Sequence, residues 1–140
     1  MRWETKVDSM PLPPADIIEN TLAVLIVEDE FLVRWPAAEF LRERGYTVIE
    51  ATDSADAISI LNSGAHVDIV FSDINMPGEL TGHGLGEWLD RNHPNVPLLL
   101  TSASPTEADK VTTSDKRRFI AKPYELGEVG AQLEAMCRVR

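Results

Sequence analysis

The sequence predicts a single α/β domain built on a parallel sheet with helices on both faces. Three observations lead there. Five short apolar runs recur along the 140 residues. Stretches with apolar residues at helical spacing separate them. Several of the runs are apolar throughout rather than alternating, as strands buried on both faces require.

The elements follow in order. Residues 1–20 carry Pro11, Pro13 and Pro14 with little periodicity and read as a mobile tail, leaving 21–140 as the folded domain. Leu22–Val27 is the first strand. Phe31–Arg44 places Val33, Ala37, Phe40 and Leu41 on one helical face and stops at Gly45. Pro36 inside it should remove one hydrogen bond and bend the axis. Tyr46–Ile49 is the second strand. Asp53 caps a helix that runs to Asn62 and ends at Ser63-Gly64. Val67–Ser72 and Val96–Thr101 are the third and fourth strands. Between them His83–Asn92 is helical but weakened by Gly84 and Gly86. The run from Gly82 to Gly86 lacks the spacing of a nucleotide-binding loop. Ser102–Lys116 has Val111 as its single sizeable apolar anchor, so a helix there is marginal. Arg118–Ala121 is a short fifth strand. Glu125–Arg138 closes the chain, with Leu126, Val129, Leu133 and Met136 on one face.

Composition narrows the function. A net charge of −10 argues against sequence-independent nucleic-acid binding, which needs Lys and Arg at phosphates, and it favours a cation. No apolar run approaches the roughly 18 residues that span a bilayer, and the N-terminal stretch lacks a signal-peptide core. Cys137 is the lone cysteine, which excludes a disulfide framework and a thiolate cluster. A cytoplasmic location and no membrane contact are expected.

Polar residues collect just past the apolar runs. The first strand ends in Glu28-Asp29-Glu30, the third in Asp73, the fourth in Thr101-Ser102, the fifth in Lys122-Pro123. In an open parallel sheet those carboxyl ends share one edge, where ligands bind. Three carboxylates at close quarters repel unless a cation sits among them. Oxygen ligands with no His or Cys nearby suit Mg²⁺. A hydroxyl and an ammonium aimed at the same point suit a phosphoryl oxyanion. Together they describe an aspartyl-phosphate site.

The motifs LIVEDE, SDINMPG, LLLTSA and FIAKP, in this order, resemble the receiver domain of two-component response regulators over about Leu22–Met136. The resemblance implies a flavodoxin-like (βα)5 fold with strand order 2-1-3-4-5. It implies that Asp73 accepts a phosphoryl group from a phosphohistidine. Asp29 would bind Mg²⁺ directly and Glu28 through water or at the rim, with Asn75 lending its backbone carbonyl. Thr101 and Lys122 would hold the phosphoryl oxygens. Thr101 and Phe119 would form the switch, and Lys122-Pro123 would be a cis peptide. The implied partners are a sensor histidine kinase or histidine phosphotransferase and a downstream protein target, with homodimerisation left open.

Some features depart from the family pattern. The loop after Pro77 is about a residue longer than the commonest pattern, the next helix is glycine-rich, and Ser102 stands where a smaller residue is common. Glu30 reads as a solvated acid at a helix start. His66, His83 and His93 are scattered and read as surface residues; Trp35 lies off the stripe of its helix and Trp88 reads as partly core, with an interface anchor as the alternative for either. The expected function is a stand-alone signalling switch, not a metabolic enzyme, with self-catalysed phosphotransfer and autodephosphorylation; the chain's end after the last helix suggests no attached effector. Two alternatives stand beside it. One is a receiver-like interaction module not regulated by phosphorylation. The other is a phosphatase of the haloacid dehalogenase type, which the E-D-E after the first strand disfavours because that family places D-x-D there.

Overall fold

The computed structural model describes residues 22–138, so the N-terminal tail lies outside the described residues. Strands and helices alternate: β1 (Ala23–Val27), α1 (Phe31–Glu43), β2 (Thr47–Ala51), α2 (Ser54–Asn62), β3 (Ile69–Asp73), α3 (Gly82–Asn92), β4 (Leu98–Ser102), α4 (Pro105–Ala108), β5 (Arg117–Ala121) and α5 (Leu126–Arg138). The five strands form one parallel sheet in the order β2-β1-β3-β4-β5. This is the expected flavodoxin-like arrangement.

Strand alternation divides the core in two. Val24 and Ile26, Ile69 and Phe71, and Leu99 face α1 and α5, where Ala37, Leu41, Val129, Leu133 and Met136 meet them. Leu25 and Val27, Val70, and Leu98 and Leu100 face α2 and α3, against Ala57, Leu61, Leu85 and Leu89. β1, β3 and β4 are buried along their whole lengths, which is why they read as unbroken apolar runs.

Boundaries differ from the sequence expectation for local reasons. β4 starts at Leu98, since Pro97 has no N–H to give a ladder; its carbonyl still accepts from Val70. β2 runs on to Ala51 because β1 pairs with it as far as Val27. β3 includes Asp73 as its last residue, so the carboxylate sits on the strand and not in the loop beyond it. Pro36 lies inside α1 without interrupting it. The segment after β4 forms one short helix, α4, with no buried residue, as its lack of apolar anchors predicts.

Candidate functional site

The period of two along each strand positions the site. Glu28 continues the face of Ile26, Asp73 that of Phe71, and Thr101 that of Leu99. All three therefore emerge on the α1/α5 side at the carboxyl edge of the sheet. Asp73 and Thr101 are register partners across β3 and β4. Glu28, Asp29 and Asp73 each bring a carboxylate oxygen within 4.8 Å of the others. Glu28 and Asp73 are buried and Asp29 is exposed. Lys122 reaches in from the end of β5, its Nζ donating to Glu28 Oε1 at 2.8 Å and to Asp73 Oδ2 at 3.1 Å. The Lys122-Pro123 peptide is cis.

Burial and pairing compete here. Burial pushes the Glu28 carboxyl up, and hydrogen bonds from Lys122 and the Glu30 N–H offset only part of that. Burial pulls the Lys122 ammonium down, but its bonds to Glu28 and Asp73 outweigh it and hold the group above its ordinary value. Tyr124, buried beside these charges, is pushed up to about 12, by desolvation first and the Glu28 charge second. It stays protonated at physiological pH.

Thr101 is 2% exposed, and its Oγ1 is the buried side-chain polar atom left without a hydrogen-bond partner among the described residues. Such atoms are rare and call for a physical reason. Thr101 borders a cavity of about 10 Å³ together with Glu28, Arg34, Asp73 and Tyr124. An orphaned hydroxyl beside an ammonium and a carboxylate cluster is the donor set an incoming oxyanion needs. The three acids, hard oxygen donors without nitrogen or sulfur, fit a divalent cation such as Mg²⁺.

Other expected residues lie elsewhere. Asn75 is exposed in the loop after β3, its N–H donating to Asp73 Oδ1 at 3.2 Å. Phe119 pairs in register with Leu100 and packs against the α2/α3 core, so its ring leaves the sheet on the face opposite Thr101. Glu30 is exposed and makes no side-chain cap bond. Trp35, with Phe31 and the 83% exposed Leu32, forms an apolar patch on the first turns of α1. His83 does not stay free: its Nε2 meets Glu107 Oε1 of α4 at 2.9 Å.

Three contributors escape sequence reading. Arg34 donates to the Glu28 carbonyl at 2.8 Å and to Glu50 at 2.9 Å, bracing the loop that carries the acids. Gly82, at the start of α3, lets that helix approach the backbone at Asp73 and Ile74. Ser102 donates to the Asn75 side chain. The helix starts one residue earlier than the sequence suggests, at Gly82 itself.

Residues 24–134 match the model of the response regulator receiver domain. The chain belongs to that family. Among curated relatives, the sensor kinase CckA of Brucella abortus is 34% identical over 122 residues, 85% of this chain but 13% of the kinase. The aerobic respiration control protein ArcA of Escherichia coli is 35% identical over 112 residues, 79% of this chain and 46% of ArcA. The chain thus spans about half or less of the curated relatives it matches. Among solved structures, the receiver domain of a hybrid histidine kinase CckA is 30% identical, with a TM-score of 0.70 over 82% of this chain and 98% of that one. A receiver protein of Sinorhizobium medicae shares the fold at 21% identity, with a TM-score of 0.76 over 86% of this chain and 97% of that one. The chain is therefore a receiver domain of the two-component type. Among the described residues no helix is long and apolar enough to cross a membrane.

Proposed function

We propose that this receiver domain accepts a phosphoryl group on Asp73 from the phosphohistidine of a sensor kinase or histidine phosphotransferase, and signals to a protein target while it carries it. One observation carries the reading. Four strand ends deliver three carboxylates, an ammonium and an unpartnered buried hydroxyl to one crevice. A solvated acidic edge has no need of the last two.

The reaction is an in-line displacement. An Asp73 carboxylate oxygen forms a bond to phosphorus as the bond from phosphorus to the histidine nitrogen breaks, and the imidazole leaves with the electron pair. Lys122 Nζ, already 3.1 Å from Asp73 Oδ2, stabilises the charge on the transferred oxygens. Thr101 Oγ1 donates to one of those oxygens and so gains the partner it lacks. Glu28, Asp29, Asp73 and the Asn75 carbonyl would hold Mg²⁺, which supplies positive charge to the phosphoryl oxygens when bound. Return to the resting state is hydrolysis: water attacks phosphorus, inorganic phosphate leaves, and the Asp73 carboxylate is restored.

Incubation with a small acyl phosphate and Mg²⁺, followed by intact-protein mass measurement, tests the reading. The expected result is a gain of one phosphoryl group that disappears on chelation and in the near-isosteric Asp73→Asn variant. Labelling of Asp73→Asn at the normal rate would overturn the assignment of the acceptor. No labelling of the folded wild-type chain by acyl phosphate or by any kinase would favour the interaction-module alternative.

A further inference from the structure

Thr101 and Ser102 are consecutive on β4, so their side chains leave the sheet on opposite faces. Thr101 turns towards Asp73. Ser102 turns towards α3, is 1% exposed, and uses its hydroxyl twice. The Oγ donates to Asn75 Oδ1 at 2.7 Å and accepts from the Ser104 N–H at 3.0 Å. Its own carbonyl accepts from the Lys122 N–H at 3.0 Å. One residue thereby touches the segments that follow β3, β4 and β5, which carry Asn75, Ser104 and Lys122.

We propose that Ser102 is a positioning residue for the phosphoacceptor site. Its hydroxyl pins the Asn75 side chain, and so steadies the peptide whose carbonyl would help to hold Mg²⁺. The same hydroxyl fastens the start of the α4 segment to that point. This rests on the Mg²⁺-dependent reading proposed above.

The physical need comes from the loop. Asn75 is exposed, and within the turn its N–H is held by Asp73 Oδ1 at 3.2 Å, which leaves Ser102 as the anchor of its side chain. A carbonyl that must be ordered on binding loses affinity to conformational entropy. One that is already held does not. Alanine at 102 removes both hydrogen bonds, yet water can reach Asn75 and the partly buried Ser104, so the cost falls on orientation more than on folding. The route is also distinct from the one through Thr101. Ser102 lies on the same face of the sheet as Phe119 and Leu100, so it links the phosphoacceptor loop to α4 on the side where Phe119 packs. By linkage, whatever orders Asn75 also orders Ser104.

The test uses the full chain with Ser102→Ala, Ser102→Thr, Asn75→Ala and the double variant Asn75→Ala/Ser102→Ala. Two quantities are read without any phosphodonor: amide exchange at Ser104 in the metal-free protein, and Mg²⁺ affinity by calorimetric titration. Ser102→Ala should speed Ser104 exchange and weaken Mg²⁺ binding by about three- to tenfold, the scale of one hydrogen bond. Ser102→Thr, which keeps the hydroxyl, should restore affinity. Should the threonine fail to fold, the double variant decides: with Asn75 already truncated, Ser102→Ala should cost little more. A wild-type chain that binds Mg²⁺ no more tightly than Ser102→Ala overturns this role alone, as does full additivity in the double variant. A wild-type chain that binds no Mg²⁺ overturns the phosphoacceptor reading and this role with it.

Discussion

Gly82→Ala should destabilise this domain even though alanine is the better helix former. Gly82 opens α3, and its N–H donates to the Ile74 carbonyl at 2.9 Å. A β-carbon added there would lie 2.7 Å from the Asp73 carbonyl oxygen, 2.8 Å from Ile74 Cα and 3.1 Å from Leu100 Cδ2. Two of these neighbours are backbone. The Ile74 N–H bonds the Thr101 carbonyl at 2.9 Å, so neither strand can yield without disturbing the other. Alanine gains at most about 1 kcal/mol of helix propensity, and less in a first turn. Overpacking costs roughly 1–3 kcal/mol. The net loss is then about 1–2 kcal/mol. Gly127→Ala in α5 is the control, since nothing lies within 4 Å of its added β-carbon and its backbone is unstrained. That variant should be neutral or gain up to about 1 kcal/mol. Urea denaturation of the three proteins, compared at equal m-values, reads the order directly. Because the group displaced is the carbonyl of Asp73 itself, phosphorylation should slow in Gly82→Ala and not in Gly127→Ala. A Gly82→Ala protein as stable as the wild type would refute the claim that glycine is there for close approach.

Two further outcomes are expected. Lys122→Ala should destabilise the metal-free domain by roughly 1–3 kcal/mol, because Glu28 and Asp73 lose their cation; the figure is below that for a fully buried pair since the crevice meets solvent. Added Mg²⁺ should recover more stability in that variant than in the wild type, and an equal gain in thermal melts would count against the pairing. The Glu107 carboxyl is held below its ordinary range, by the hydrogen bond from His83 first and by Lys110 as a lesser cause. Its tie to α3 is therefore fully present above the ordinary carboxylate pKa of about 4.3 and is lost as pH falls through the lower folded value. His83→Ala should move the Glu107 titration, followed by carboxyl NMR, back up; an unchanged titration would show that His83 is not the cause.

Much of the fold was legible because the central strands are buried on both faces, which leaves an unmistakable apolar signature in Ala23–Val27 and Leu98–Leu100. Edge strand β2 was harder. Its exposed and half-buried positions follow the pairing with β1, and Glu50 belongs to it because Arg34 and Arg42 neutralise the charge. The gathering of Glu28, Asp73 and Thr101 was readable from strand ends, since alternation carries them onto one side, whereas Asn75 and Phe119 came only with the family resemblance. The site's wiring was not readable. Lys122 and Glu28 lie 94 residues apart, and no local pattern announces their bond. Ser102 read as a departure in size, whereas its consequence is a hydrogen bond to a loop 27 residues away. Gly82 fell just outside the expected helix, and its use appears only when α3 is laid against β3.

The arrangement of charge also orders the proposed events. Three carboxylates face one ammonium, and Lys122 is committed to two of them. Two unit charges at 4.8 Å repel by up to about 3–4 kcal/mol at an effective dielectric of 20, less where Asp29 meets water. Lys122 cannot leave Glu28 and Asp73 for an arriving oxyanion without restoring that repulsion. On the proposed reading it becomes free to do so only when the carboxylates have a cation of their own. An ammonium on a four-carbon stem then swings by rotating single bonds, where a planar guanidinium locked in a fork would not follow as readily. Thr101 supplies the complementary half, a hydroxyl with no hydrogen bond to give up among the described residues. Phosphorylation without metal should accordingly fail at the lysine and not at the nucleophile.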